Sequence, residues 1–341
     1  MPANGIQVFS TCPQSKEFAA GEYLPQVRRV SQWSEAAGCT GMLIYTDNSI
    51  VDPWLLAQCV LQDTRALCPL VAVQPVYMLP YSAAKMVASL ACLHDRRIWL
   101  NMLAGGFRND LIALGDETPH DDRYVRTTEY ALLMRRLLES DEPVQFAGRY
   151  YAARGLRLTP RVPEELRPGW LISGSSPAGR AAAVEIGAVA VEYPEPADRV
   201  QPPESVHERG IRVGIIARES ADAAWRVAWD RFPDDRRGRL SHALAMKTSD
   251  SSWHRTLSDL ARARPADGSP YWLWPFEQHR TFCPYLVGDY ATVAQEIARY
   301  LRLGYNSFIL DIPTEAADLE TAAEVFRQAR QLCDAPPPAM A

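Results

Sequence analysis

The sequence lacks the features that mark several large classes of protein. Among its 341 residues, 36 are basic and 41 are acidic, so there is no excess of positive charge for binding nucleic acid or an anionic membrane. The first ten residues have neither the basic nor the apolar region of a secretory signal. The apolar runs, such as those at residues 67–73 and 213–216, are much shorter than a membrane span. These absences favour a cytoplasmic protein with no nucleic-acid or membrane partner.

Motifs for metals and nucleotides are also absent. The seven cysteines include no C-x-x-C pair, and the six histidines form neither an H-E-x-x-H motif nor a zinc-spaced cluster with them. We therefore expect reduced thiols and no bound metal. Neither G-x-G-x-x-G nor a Walker loop occurs. Dinucleotide-binding and P-loop folds are thus left without support.

What is present is an ordinary globular composition, with 47% hydrophobic and 23% charged residues. Strands that alternate with helices are predicted at residues 6–11, 41–46, 67–74, 97–103, 170–173, 188–191, 211–217 and 307–311. Eight such strands are typical of an α/β protein with a (β/α)8 TIM barrel. We predict one domain over residues 1–334, with its largest insertion after strand 7 at about residues 218–284, and a flexible tail at residues 335–341.

A turn of small residues follows the fifth predicted strand. Ser173, Gly174 and Ser175 form this turn, Ser176 is placed to cap the next helix, and Pro177 to occupy its first position. Such a turn directs backbone N–H groups and two hydroxyls towards one point, which suits a phosphate. A plain helix cap would need the same residues, so both interpretations stay open.

Three other places suit either a ligand or a structural role. His120 and Tyr124 begin a long predicted helix and could contact a phosphate, although the acidic residues between them are explained by the helix dipole alone. Asn101 closes the fourth strand, where a buried amide needs hydrogen-bond partners. The aromatic segment at residues 271–280 predicts either a core patch or a mobile lid over a substrate pocket.

At these residues the sequence resembles the bacterial luciferase-like flavin monooxygenases, most closely the alkanesulfonate monooxygenase branch. The similarity covers residues 24–332, and its best segments include CTGMLIYTDNSIVDPWLLA (39–57), HDDRYVRTTEYALLMRRLL (120–138) and LVGDYATVAQEIARYLRLGYNSFIL (286–310). The resemblance implies a homo-oligomeric (β/α)8 barrel, usually a homodimer or larger. It also implies reduced FMN (FMNH2) supplied by a separate NAD(P)H:flavin reductase. With O2 as co-substrate, a flavin C4a-(hydro)peroxide then oxygenates an organic substrate.

The resemblance also implies which residues bind the cofactor. Asn101 would contact the isoalloxazine ring, and the segment around Ala72 and Val73 would carry the family's non-prolyl cis peptide beneath it. The residues that would hold the phosphate, with glycine allowing its close approach, are His120, Tyr124, Gly174, Ser175 and Ser176.

Departures from the alkanesulfonate branch concern the substrate. An Arg-x-His strand is represented here by Arg212, Val213 and Gly214, and a cysteine by Ile50. A tyrosine after the eighth strand is replaced by residues 312–313, and the arginine of the mobile loop has an approximate counterpart in Arg280. The resemblance thus implies catalytic roles for Arg212 and Arg280. It implies a substrate pocket lined by Ile50, Tyr193, Gly214 and Trp274.

The loss of a histidine, a thiol and a phenol predicts a larger and less polar pocket. We therefore expect a substrate larger or less anionic than a simple alkanesulfonate. Two alternatives stay open. The first is an F420-dependent enzyme that transfers hydride, since the superfamily includes such enzymes. The second is a non-catalytic barrel that has lost its flavin.

Overall fold

The computed structural model describes residues 5–105, 108–200, 208–235, 238, 257 and 268–334. The predicted tail at 335–341 and part of the predicted insertion at about 218–284 lie outside these residues. The chain divides into two compact units. The amino-terminal unit contains Thr11–Val191, and the carboxyl-terminal unit contains the described residues before Thr11 and from Glu192 onwards. That residues 1–334 form one domain stays a prediction.

The described residues form strands and helices in regular succession. The strands are β1 (Gln7–Thr11), β2 (Gly41–Ile44), β3 (Cys68–Val73), β4 (Trp99–Leu103), β5 (Val144–Ala147), β6 (Ala152–Leu156), β7 (Gly169–Ser173), β8 (Val189–Glu192), β9 (Arg209–Arg218), β10 (Tyr271–Trp272), β11 (Tyr285–Asp289) and β12 (Tyr305–Leu310). The helices are α1 (Tyr23–Ala36), α2 (Pro53–Asp63), α3 (Pro80–His94), α4 (Arg108–Ala113), α5 (His120–Glu139), α6 (Pro177–Ile186), α7 (Ala221–Arg231), α8 (Trp274–Glu277), α9 (Tyr290–Arg302) and α10 (Ala316–Asp334). The predicted strands correspond to β1–β4, β7–β9 and β12, which confirms the (β/α)8 barrel.

The amino-terminal unit is built on parallel strands in the order β2, β3, β4, β7 and β8. Successive side chains of a strand point to opposite faces of a sheet. One face, which includes Val71 and Leu100, packs into a large apolar core with α2 and α3. On the other face Ala72 lies opposite Asn101, and Asn101 lies opposite Leu171. This second face therefore carries the polar residue that the sequence singled out.

The carboxyl-terminal unit has the strand order β10, β11, β9, β12 and β1. Strand β9 pairs with β12 over its first half and with β11 over its second half, where Gly214 lies opposite Tyr285. Helix α7 covers β9 and β11 through Ala224 and Ala228, which pack against Ile216. Strand β9 is thus buried along most of its length.

One expectation about local structure was wrong, and two strands were not predicted. The segment at Ala72 and Val73 contains no cis peptide bond; among the described residues that bond occurs at Thr159–Pro160. Both residues continue the regular parallel pairing of β3 with β4, and this extended ladder accommodates trans peptides. In addition, β10 and β11 were not predicted: β10 has only two residues, and β11 ends at Asp289, which caps the next helix. None of the helices in the described ranges is both long and apolar enough to cross a membrane.

Candidate functional site

The turn after β7 has the geometry that the sequence predicted. Ser176 caps α6: its hydroxyl accepts a hydrogen bond from the Gly179 N–H at 3.1 Å, and Pro177 occupies the first helical position. The first N–H groups of a helix have no carbonyl partner within that helix. The turn therefore presents backbone donors and the Ser175 and Ser176 hydroxyls in one small region.

Tyr124 lies directly against this turn. A Cβ atom on Gly174 would stand 2.2 Å from the Tyr124 hydroxyl oxygen, so only glycine leaves room for the phenol. A Cβ atom on Gly179 would stand 2.7 Å from the Gly174 carbonyl oxygen, which explains the second glycine. The Tyr124 hydroxyl is hydrogen-bonded to Ser176, and burial raises the pKa of Tyr124 despite this bond. The phenol is therefore protonated and a donor at neutral pH.

His120 precedes Tyr124 by one turn of α5. The two rings meet edge to face with their centroids 5.2 Å apart, and His120 Nδ1 lies 2.7 Å from the Asp121 carboxylate. Ser175 lies between Gly174 and Ser176, and its carbonyl accepts a hydrogen bond from Arg180. The structure thus brings together all five residues that were expected to surround a phosphate. We call this group, His120, Tyr124, Gly174, Ser175 and Ser176, the cradle.

Asn101 is connected to the cradle through a residue that the sequence did not identify as functional. Its side-chain oxygen accepts a hydrogen bond from the Ser173 hydroxyl at 2.9 Å, and Asn101 is only 4% exposed. Ser173 is also the last residue of β7 and the first of the predicted turn. Ala72 lies beside Asn101 on the neighbouring strand. The sequence did contain a signal for Ser173, because polar residues at the carboxyl end of a buried barrel strand are often functional.

An ion pair supports the start of α5. The Arg126 guanidinium lies 2.6 Å from the Asp116 carboxylate, and both side chains are largely buried. Thr118 donates to the same carboxylate from its hydroxyl and from its N–H. Burial opposes ionisation of Asp116, but the hydrogen bonds from Arg126 and Thr118 outweigh it and lower the pKa of Asp116 to about 2. The loop that leads to His120 is therefore fixed by a charged group.

Loops at the carboxyl ends of β2, β3 and β4 are joined by one amide. The Asn48 side chain accepts a hydrogen bond from the Tyr77 hydroxyl at 2.8 Å and donates to the Asp110 carbonyl at 3.1 Å. Ile50 lies in the first of these loops and is half-buried. The position at which the resemblance implies a cysteine therefore holds an apolar side chain on a well-anchored loop.

A second polar group lies in the carboxyl-terminal unit. Arg212 on β9 pairs with Asp311, which follows β12, at 3.2 Å. Both side chains are buried, with exposed fractions of 7% and 12%. The other oxygen of the Asp311 carboxylate accepts hydrogen bonds from the Tyr285 hydroxyl at 2.8 Å and from the Thr281 hydroxyl. We call Arg212, Asp311, Tyr285 and Thr281 the acid cluster.

Gly214 is the residue that makes this arrangement possible. A Cβ atom at position 214 would stand 2.3 to 2.4 Å from carbon atoms of the Tyr285 ring. An aromatic ring from β11 thus takes the space beside Gly214, and a role of Gly214 in a substrate pocket stays a prediction. Tyr285, Thr281 and Asp311 were not predicted as functional residues. Only Asp311 had a signal, as a charged residue directly after a buried strand.

Two further side chains near the acid cluster are neutral. Burial raises the pKa of the Cys283 thiol, and the nearby Asp311 carboxylate raises it further. Burial likewise raises the pKa of Tyr193 well above its ordinary value, with Cys283 and Asp311 adding to the effect. The structure thus brings Tyr193, a predicted pocket residue, into the vicinity of Asp311. A thiol that the sequence did not single out lies there as well.

Trp274 and Arg280 lie elsewhere in the same unit. The Trp274 indole donates to the Phe232 carbonyl at 3.1 Å and packs against Trp229, which supports the core-patch interpretation of this segment. Arg280 pairs with Asp235 at 2.8 Å, and its side chain is 52% exposed. The structure does not place either residue in the acid cluster, although Thr281, the neighbour of Arg280, belongs to it.

The sequence profile of luciferase-like monooxygenases matches residues 6–307, which is most of the chain. The chain belongs to the luciferase-like monooxygenase family. A relative from Niallia circulans, 4-(gamma-L-glutamylamino)butanoyl-[BtrI acyl-carrier protein] monooxygenase BtrO, is 36% identical over 316 residues. That alignment covers 89% of this chain and 92% of the relative. The resemblance inferred from the sequence is thereby confirmed at the level of the family.

Solved structures with the same fold include a monooxygenase and an F420-dependent dehydrogenase. EDTA monooxygenase (EmoA) from Chelativorans sp. BNC1 matches with a TM-score of 0.71 at 14% identity, covering 96% of this chain and 95% of that chain. An F420-dependent secondary alcohol dehydrogenase matches with a TM-score of 0.63 at 18% identity, covering 96% and 99%. At such identities the likeness concerns the fold alone, so the choice of cofactor depends on the site.

Proposed function

We propose that this luciferase-like monooxygenase binds reduced FMN, received from a separate NAD(P)H:flavin reductase, and uses O2 to oxygenate an organic substrate. It would act as a cytoplasmic homo-oligomer. The observation that carries the proposal is the cradle, in which a glycine without a Cβ lets the Tyr124 hydroxyl reach the capped turn before α6. A helix start with converging hydroxyls and N–H groups binds phosphate esters well.

Each cradle residue would make a definable contribution. Tyr124 would donate to a phosphate oxygen as a neutral phenol, because its raised pKa keeps the proton in place. The hydroxyls of Ser175 and Ser176 and the N–H groups of the turn would supply further donors. His120, half-buried beside Tyr124, would place its imidazole next to the same phosphate.

Asn101 would orient the flavin ring. Its amide oxygen is engaged by the Ser173 hydroxyl, which presents the amide N–H2 group as the donor. When bound, reduced FMN supplies the electrons that activate O2 for transfer of one oxygen atom to the substrate. In the other unit, the Tyr285 and Thr281 hydroxyls would keep donating hydrogen bonds to the Asp311 carboxylate. The position of its negative charge would then stay fixed.

The substrate is proposed to be larger than a simple alkanesulfonate. The relative from Niallia circulans acts, by its name, on an acyl group attached to a carrier protein. Its 36% identity over most of both chains supports a substrate of comparable size for this protein. In the carboxyl-terminal unit, the pairing of Arg212 with Asp311 supports a site with little free charge.

The cradle is tested by titrating the protein with FMN and measuring binding through the quenching of flavin fluorescence. We expect Ser176→Ala to weaken FMN binding about tenfold, equivalent to roughly 1.4 kcal/mol, because a hydroxyl and the Tyr124 contact are both lost. The matched control is Ser220→Ala. Ser220 caps α7 in the same way, with its hydroxyl accepting from the Ala223 N–H at 3.3 Å, but it lies outside the cradle.

The same titration carried out with F420 separates the two cofactors. Tighter binding of F420 than of FMN would replace the monooxygenase proposal with hydride transfer. Failure to bind either cofactor would instead favour a barrel without catalytic function. For function itself, the protein mixed with photoreduced FMN and O2 is expected to slow reoxidation of the flavin relative to free flavin.

A further inference from the structure

The charge of Arg212 is balanced inside its own unit. Asp311 pairs with it at 3.2 Å, and both side chains are almost entirely buried. The second oxygen of that carboxylate is engaged by Tyr285 and Thr281, so donors approach Asp311 from β9, from β11 and from the segment before β11. A buried carboxylate with this many donors is held in one position.

Tyr285 reaches Asp311 only because position 214 has no side chain. Tyr285 and Gly214 lie opposite each other on paired strands, and the ring covers the place of the missing Cβ. Here a phenol from the adjacent strand occupies that volume, and its hydroxyl points to a carboxylate.

The resulting cluster has no net charge. Arg212 contributes a positive charge and Asp311 a negative one, while Thr281 is neutral. Burial raises the pKa of Tyr285 well above its ordinary value, and the nearby Asp311 carboxylate raises it further, so this phenol is neutral as well. A small pocket borders the cluster at Gly214, Tyr285 and Asp311. The ion pair of Arg231 and Asp318, 2.6 Å apart, lines the same pocket, so a sulfonate or carboxylate entering there would meet cations that already have a carboxylate partner.

We propose that Tyr285 and Asp311 determine substrate specificity by neutralising Arg212, so that the site accepts an uncharged part of an organic substrate and rejects small sulfonates and carboxylates. Rejection follows because a buried arginine that already has a partner gains little from a second anion. Leaving Asp311 unpaired would also cost free energy. The inference rests on the proposed monooxygenase function, since it names the substrate class of that enzyme.

The test measures binding of 1-octanesulfonate by titration calorimetry. Wild-type protein is expected to show no saturable binding. Asp311→Asn is expected to bind the sulfonate at least about tenfold more tightly than wild type, because Arg212 is then available to an anion. Tyr285→Phe, which removes the hydroxyl but keeps the ring over Gly214, is expected to give a smaller gain of about threefold.

The matched control is Tyr305→Phe. The Tyr305 hydroxyl also contacts a carboxylate and an arginine, Glu192 and Arg209, but neither belongs to the acid cluster. This variant should behave as wild type. The double variant Arg212→Gln/Asp311→Asn should lose the gained binding, because the cation is gone.

Two results would overturn the proposal. One is sulfonate binding by wild type that equals that of Asp311→Asn and disappears in Arg212→Gln. The other is no gain of binding in a folded Asp311→Asn protein or, if that variant does not fold, in Tyr285→Phe. Titration of FMN with the same preparations reports the proposed function separately. If wild type does not bind FMN, the proposed monooxygenase function is refuted, and the sulfonate result is still interpretable.

Discussion

The cradle in the amino-terminal unit and the acid cluster in the carboxyl-terminal unit are built in different ways. The cradle comes from three consecutive residues, Gly174 to Ser176, and two residues one turn apart on α5, and it offers mainly donors. The acid cluster comes from residues far apart in the chain, and its centre is a carboxylate that neutralises Arg212. The first design suits a dianionic phosphate, and the second suits a group without charge. The cradle thus combines two short segments of the chain, at residues 120–124 and 174–176, whereas the acid cluster combines three, at residues 212, 281–285 and 311.

The largest effect is expected from filling the space at position 214. Gly214→Ala places a Cβ about 2.3 Å from the Tyr285 ring, which must move and lose its bond to Asp311. Overpacking of this kind costs about 3 kcal/mol, and chemical denaturation should show it. Removing the ring should relieve the clash, so Gly214→Ala/Tyr285→Ala should be destabilised by less than the sum of the two single variants.

A glycine on the paired strand provides the control for this prediction. A Cβ on Gly288 of β11 would stand 3.5 Å from the nearest atoms of Thr292, which is ordinary contact. Gly288→Ala should therefore cost much less than Gly214→Ala. Equal destabilisation by the two alanines would mean that the Gly214 and Tyr285 pair has no special steric role.

The difference between the cradle and the acid cluster also explains which parts of the structure could be predicted from the sequence. The barrel was predictable because strand and helix periodicity is local, and so was the turn at Gly174, whose cap, proline and glycines are consecutive. The acid cluster was not predictable, since no local pattern shows that Tyr285 lies over Gly214 or that Thr281 reaches Asp311. The missing histidine at 214 predicted empty space. The structure shows that a neighbouring strand supplies a ring instead.

An intermediate effect is expected from the ion pair that supports the cradle. The pKa of Asp116 is about 2 in the folded protein, compared with 3.8 for an unperturbed aspartate. A lowered pKa contributes stability that is complete above about pH 4 and disappears as the pH falls towards 2. Asp116→Asn should therefore cost about 1–2 kcal/mol at neutral pH and progressively less in acid.

Thermal unfolding from pH 7 down to pH 2 checks this dependence. The difference in melting temperature between wild type and Asp116→Asn should shrink over the acid part of this range.

An exposed ion pair provides the control. Arg280 and Asp235 also form an ion pair, but the arginine is 52% exposed. Asp235→Asn should change stability by less than about 1 kcal/mol. A difference for Asp116→Asn that stays constant down to pH 2 would show that the carboxylate charge is not what stabilises the loop.

The smallest effect, about a tenfold change in FMN binding, is expected at Gly174. Gly174→Ala puts a Cβ at 2.2 Å from the Tyr124 hydroxyl, so the phenol has to leave the turn and give up its bond to Ser176. We expect FMN to bind about tenfold more weakly, with little further loss when Tyr124→Phe is added. Gly115→Ala controls for backbone strain, because Gly115 also has a positive φ, of 76°, but no atom stands within 4 Å of its added Cβ. If both alanines weaken FMN binding equally, strain alone explains the loss; if only Gly174→Ala does, the glycine is there to let Tyr124 reach the phosphate.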